Sequence, residues 1–166
     1  MNLAGGSLVR DLAGSYIAKG PLTEEDILTA AETILAEPFK KQEALTSPAQ
    51  TKRYLVHRLA VKEHEVFSVI FLDQRHRIIT YEEMFRGTID HASIHPREVG
   101  KRSLQLNAAA VILAHNHPSG SVKPSRMDID VTRQLQETLE LVGTRILDHI
   151  IVGGAETCSF AEDGHL

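Results

Sequence analysis

His115-Asn116-His117-Pro118-Ser119-Gly120-Ser121-Val122-Lys123-Pro124-Ser125-Arg126-Met127-Asp128 is the stretch whose reading decides the fold. Just upstream, Ala108 to Ala114 is an unbroken apolar run, the pattern of a buried strand. Downstream, Val131, Leu135, Leu139 and Val142 recur at helical spacing. The stretch is therefore the loop that carries the chain from a buried strand into a helix, a common place for chemistry.

Two histidines one residue apart share a face of a strand, because the side-chain period there is two. The loop then brings back Asp128 as a third ligand for one metal. Two imidazoles and a carboxylate leave a fourth position open, which is the catalytic rather than the structural arrangement for zinc. Pro118, Gly120 and Pro124 are turn formers that hold such a loop in shape. A plainer reading stands beside this one. Ser125-x-x-Asp128 also spells a helix capping box with Ser125 as N-cap, and a His-x-His pair can be two polar residues leaving a strand. The readings are compatible, since a capped helix start is a rigid place to hold a ligand.

His115-x-His117, seven residues, Ser125, two residues and Asp128 resembles the JAMM (MPN+) metalloprotease motif at every spacing. The wording His-Asn-His-Pro-Ser-Gly is similar to the RadC branch of that superfamily. Glu65-Val-Phe, Phe85-Arg-Gly-Thr, His95-Pro-Arg-Glu and Leu147-Asp-His-Ile-Ile agree in order, so the resemblance covers roughly Thr46 to the C-terminus. It implies a three-layer α-β-α sandwich around a mixed sheet, of cytidine-deaminase-like architecture. It also implies one zinc per chain on His115, His117 and Asp128. Glu65 takes the place of the general base in the resemblance, with Ser125 beside the developing oxyanion. Glu63 is near and has the same parity; the resemblance prefers Glu65, two residues before the phenylalanine. The domain division expected is 1–45 as an N-terminal helical extension and 46–166 as the RadC-like JAMM/MPN+ domain.

The 166 residues are enough for one domain with a real core, and 42% hydrophobic content with mixed charge is that of a soluble globular protein. The net charge of −4 gives no basic field toward nucleic acid or an anionic membrane. The one cysteine, Cys158, rules out an internal disulfide and a cysteine-ligated zinc site, and it is expected as a small core or edge residue. There is no Cys-x-x-Cys of the zinc deaminases and no His-Glu-x-x-His. No stretch approaches the ~20 apolar residues of a membrane span, and Arg10 and Asp11 interrupt any secretory signal. The expected location is cytoplasmic.

In chain order, Leu8, Val9, Leu12 and Tyr16 suggest one face of a short helix that Gly14 weakens. Thr23-Glu-Glu-Asp26 reads as a capping box opening a helix over 21–37. Ile27, Leu28, Ala31, Ile34 and Leu35 form its buried stripe, and Pro38 stops it. Ser47 caps a second helix running from Pro48 to near Lys62, lined by Tyr54, Leu55 and Leu59, with His57 on its surface. Glu65–Leu72 and Ile78–Met84 form a hairpin. Phe85–Asp90 continues the sheet with Gly87 at a bulge or close approach, and His91 and His95 follow in a loop that could border a cleft. Pro96–Leu106 is a helix crossing to the buried strand. A helix spans Arg126–Leu141 with Gly143 at its cap, and Arg145–Val152 and Thr157–Ala161 form a last hairpin. Asp148 and His149 sit within an apolar strand and call for hydrogen-bond partners there, and Asn116 is expected to brace the metal loop.

The function these features imply is zinc-dependent amide hydrolysis, as a metallopeptidase or isopeptidase, on a peptide or protein substrate that nothing in the sequence identifies. Nitrogen-oxygen sites also take iron, cobalt or nickel, with zinc preferred on ligand type. The alternative is a DNA repair or recombination accessory protein with a structural or regulatory metal. The acidic charge lends that account no support, and no helix-hairpin-helix is evident in 1–45. Phosphodiester hydrolysis suits a two-metal centre better than this single site.

Overall fold

The computed structural model describes residues 2–3, 8–10, 15–40, 48–87 and 94–166. They fall into two compact units, Met1–Lys41 and Gln42–Leu166. In the first, β1 (Asn2–Leu3), β2 (Leu8–Arg10) and β3 (Tyr16–Ala18) form a small antiparallel sheet, with Val9 opposite Ile17. The helix expected through Leu8, Val9 and Tyr16 is thus replaced by strands; Leu12 lies outside the described residues. Val9, Tyr16 and Ile17 are β-formers, and the nearby glycines disfavour a helix. α1 (Glu24–Lys40) opens on the expected box: Thr23 Oγ1 accepts from the Asp26 N–H, and Asp26 Oδ2 accepts from Thr23 N–H and Oγ1. Two expectations fail along it. The helix runs on past Pro38, whose fixed φ is itself helical. Nor is the apolar stripe buried where its side chains are described: Ile27 and Leu28 are half exposed, and among the described residues of the helix only Ala30 is buried.

The second unit is built on one five-stranded mixed sheet in the order β5-β4-β6-β7-β8. Its strands are β4 (Val66–Leu72), β5 (Ile78–Arg86), β6 (Ala110–Asn116), β7 (Arg145–Gly153) and β8 (Glu156–Ser159). β4 pairs antiparallel with β5 and β6, β6 runs parallel to β7, and β7 pairs antiparallel with β8. Both central strands, β4 and β6, are buried at every residue, which is why both are largely apolar in sequence.

Alternation along those strands divides the core. Phe67, Val69, Phe71, Val111 and Leu113 face α3 (Pro96–Leu106) and α4 (Arg126–Glu140), where they pack with Val99, Leu135 and Leu139. α2 (Pro48–Leu59) buries Thr51, Tyr54, Leu55 and Leu59 and covers the opposite face, where it borders Ile112 and Ile150. The result is the three-layer α-β-α sandwich. α2 ends at Leu59, short of Lys62, and Ser47 lies outside the described residues. Gly87 N–H donates to the Glu65 carbonyl, the expected close approach at the end of β5. Cys158 is buried with its Sγ donating to Asp163, and burial pushes its thiol up to about 12. Among the described residues no helix is long and apolar enough to cross a membrane.

Candidate metal centre

The β6-α4-β7 crossover places the site at the C-terminal end of β6, the edge where open α/β sheets hold their ligands. His115 is the last residue of β6 but one and is 1% exposed. It lies opposite Phe67 of β4, and the two rings stack at 6.2 Å. His117 follows the strand end, tied down by its N–H to the Val152 carbonyl of β7. Its Nδ1 lies 2.8 Å from the Ser121 carbonyl. A carbonyl only accepts, so Nδ1 carries a proton and Nε2 turns inward. Asp128 stands at the third position of α4 as the partner in a complete capping box. Its Oδ2 accepts from Ser125 N–H at 2.7 Å, and its own N–H donates to Ser125 Oγ at 3.1 Å.

These three side chains converge. His115 Nε2 is 3.0 Å from His117 Nε2 and 3.2 Å from Asp128 Oδ1, and His117 Nε2 is 3.5 Å from Asp128 Oδ2. Zinc bonds of about 2.0–2.1 Å at the tetrahedral angle would set ligand atoms roughly 3.3–3.4 Å apart. His115, His117 and Asp128 thus form a group able to hold a metal ion. The charges agree. Burial works to raise Asp128, but the imidazoles of His115 and His117 beside it hold it well below the usual carboxylate range. The Asp128 hydrogen bond raises His117, with burial opposing it.

The neighbours of the cluster brace it. Asn116 points to the other face of the sheet, where Oδ1 accepts from Val66 N–H at 2.8 Å and Nδ2 donates to the His64 carbonyl at 3.0 Å. It thereby pins the segment that carries Glu65. The antiparallel register that pairs Phe67 with His115 brings Glu65 toward His117, and Glu65 contributes to raising that histidine. Glu65 also lines a cleft of about 430 Å³ with Asp128, where Ile94, Met127 and Val131 give an apolar side and Arg126, Asp130 and Gln134 a polar one. Glu63 is exposed and is not among the residues that line this cleft. Ser125 is exposed at the start of α4.

His149 lies beneath the cluster, fully buried, with Nε2 2.9 Å from His115 Nδ1 and Nδ1 2.6 Å from Thr132 Oγ1. Burial holds its imidazole well below its ordinary value. Asp148 accepts from His149 N–H, Ser159 Oγ and Ala161 N–H, so it closes the β7-β8 end and takes no part in the cluster. His95 is exposed against the edge of Phe85, and His57 is half-buried on α2; His91 lies outside the described residues. Sequence reasoning missed Thr132. Its signal was its place one helical turn after Asp128, on the same face of α4.

A mixed sheet flanked by helices, with two histidines at a strand end and an aspartate at the next helix start, defines a JAB-type α/β domain. The RadC-like JAB domain family matches residues 45–165, and the chain belongs to that family. A protein of Nitrosococcus oceani is 61% identical over 132 residues, covering 80% of this chain and 59% of the relative. One of Marinobacter nauticus is 53% identical over 134 residues, covering 81% and 60%. One of Aliivibrio fischeri strain MJ11 is 49% identical over 138 residues, covering 83% and 62%. Each is named only as a UPF0758 protein. The chain spans about three-fifths of the length of these relatives.

Proposed function

We propose that this domain is a zinc-dependent metallohydrolase that cleaves an amide bond in a peptide or protein, as a peptidase or isopeptidase. The observation that carries the reading is the convergence of His115, His117 and Asp128 beside a cleft that Glu65 also lines. His115, His117 and Asp128 would hold a zinc ion, which would supply Lewis-acid polarisation and bring the pKa of water at the site toward about 7. Glu65 accepts the proton of the attacking water and passes it to the leaving nitrogen. The Ser125 oxygen already accepts from Asp128 N–H, so its own proton is free to donate to the developing oxyanion. Met127, Val131 and Ile94 offer an apolar wall to the substrate, and Arg126, Asp130 and Gln134 a polar one.

Hydrolysis of a peptide library and of isopeptide-linked substrates by the zinc-loaded protein, beside Glu65→Gln, tests this. The reading expects cleavage by the wild type and a loss of at least ~10²-fold in the variant, the usual scale for a general base, with zinc retained. Cleavage that survives Glu65→Gln would remove Glu65 from the mechanism. Binding to DNA that weakens with salt, without any cleavage, would favour the accessory-protein account instead.

A further inference from the structure

We infer that Thr132 and His149 form a one-way hydrogen-bond relay that fixes which nitrogen His115 presents to the metal. The direction follows from its far end. Thr132 Oγ1 lies against the Asp128 carbonyl oxygen too closely for two oxygens without a proton between them, and only the hydroxyl has one to give. That hydroxyl has no second proton, so toward His149 it must accept. His149 Nδ1 therefore carries a proton. His149 is fully buried, and its ring nitrogens meet only a hydroxyl and another imidazole, so it is neutral and Nε2 is a bare acceptor. His115 Nδ1 must then be the donor across the 2.9 Å contact, which leaves Nε2 as the nitrogen turned to His117 and Asp128.

The relay starts on one ligand and ends on the backbone of another. It ties β6 to α4 through β7, so the tautomer of His115 is set by the fold before any ion arrives. Metal ligands elsewhere use a carboxylate or a backbone carbonyl for this purpose. Here a second histidine does it, and that histidine takes its own direction from a threonine. His149 and Thr132 are positioning residues: neither offers an atom to the metal.

The inference rests on the metal reading, but its first test does not need the metal. Histidine-labelled nitrogen-15 spectra of the zinc-free and zinc-loaded protein report each ring's tautomer. The expected result is a proton on Nδ1 of both His149 and His115 in both states. A proton on His149 Nε2 in either state overturns the relay. The second test is zinc affinity by competition with a chromophoric chelator, with thermal melts of the zinc-free proteins as the folding control. Thr132→Val should lose about 10–100-fold in affinity, the usual scale for removing an outer hydrogen-bond partner, while Thr132→Ser keeps most of it. Unchanged affinity in Thr132→Val overturns the positioning role. A wild type that takes up no zinc would defeat the proposed hydrolase, while the zinc-free spectra would still decide the relay.

Discussion

The Ser125 hydroxyl accepts a hydrogen bond from the Asp128 N–H and closes the capping box of α4, and the proposed oxyanion role would use the same hydroxyl. Substitution can separate the two. Ser125→Ala removes the cap and is expected to cost about 0.5–2 kcal/mol of stability. It should also cost ~10²–10³-fold in turnover if the hydroxyl donates to an oxyanion. Ser125→Asp keeps an acceptor for the Asp128 N–H but has no proton to donate at neutral pH. Its melting temperature should return toward the wild type while turnover stays lost. Thermal melts beside peptide hydrolysis check the pair, and turnover restored in Ser125→Asp would leave Ser125 a cap and nothing more.

Among elements, the loop from His117 to Ser125 is held by the turn that ends β7. A Cβ added at Gly153 would lie 2.4 Å from the Gly120 carbonyl oxygen and 2.8 Å from its carbon, and these are backbone atoms that cannot swing aside. Gly153→Ala should therefore shift the metal loop, at about 1–3 kcal/mol, the usual cost of overpacking. Zinc affinity should fall with it, as chelator competition would show; an alanine variant with wild-type affinity would mean the loop moves freely. The elements of the second unit were legible because their signals are local: Pro96 opens α3, Ser125 caps α4, and β4 and β6 read as apolar runs. Gly153 falls between the two strands of the expected last hairpin, and a close approach between segments 33 residues apart in sequence leaves no local pattern there. The strands of the first unit were missed for the opposite reason. β2 and β3 have three residues each, too few to set a period, and Leu8, Val9 and Tyr16 fitted a helix equally well. The stripe of α1 has the right spacing, but spacing does not say what covers a face, and Ile27, Leu28 and Ile34 remain exposed.

For the whole molecule, the cluster writes a pH dependence into stability. His117 is raised above 6.5, so its contribution to the metal-free chain is complete below that value and is lost as pH rises through the raised one. Asp128 is depressed below 3.8, so its contribution is present above that value and is lost as pH falls through the depressed one. The metal-free protein should gain most from the cluster between those limits, in mildly acidic solution. Zinc must displace the His117 proton, so the stabilisation it confers should grow as pH rises through the raised value. Melts with and without zinc across that range check the sign, and His117→Gln should flatten both curves. The His115-His117-Asp128 cluster was legible in the sequence because strand, loop and helix start are contiguous. The site's support was not, since Asn116 holds the Glu65 segment, and His149 holds His115, across strands distant in sequence.

The most direct measurement is metal content by elemental analysis of protein purified without added metal, for the wild type beside His115→Ala, His117→Ala and Asp128→Ala. The account predicts about one zinc per chain in the wild type, as a single three-ligand site requires, and loss of it in all three variants. A folded wild type that carries no metal and takes none up would contradict it, leaving Ser125 and Asp128 as a helix cap and His115 as a buried histidine hydrogen-bonded to His149.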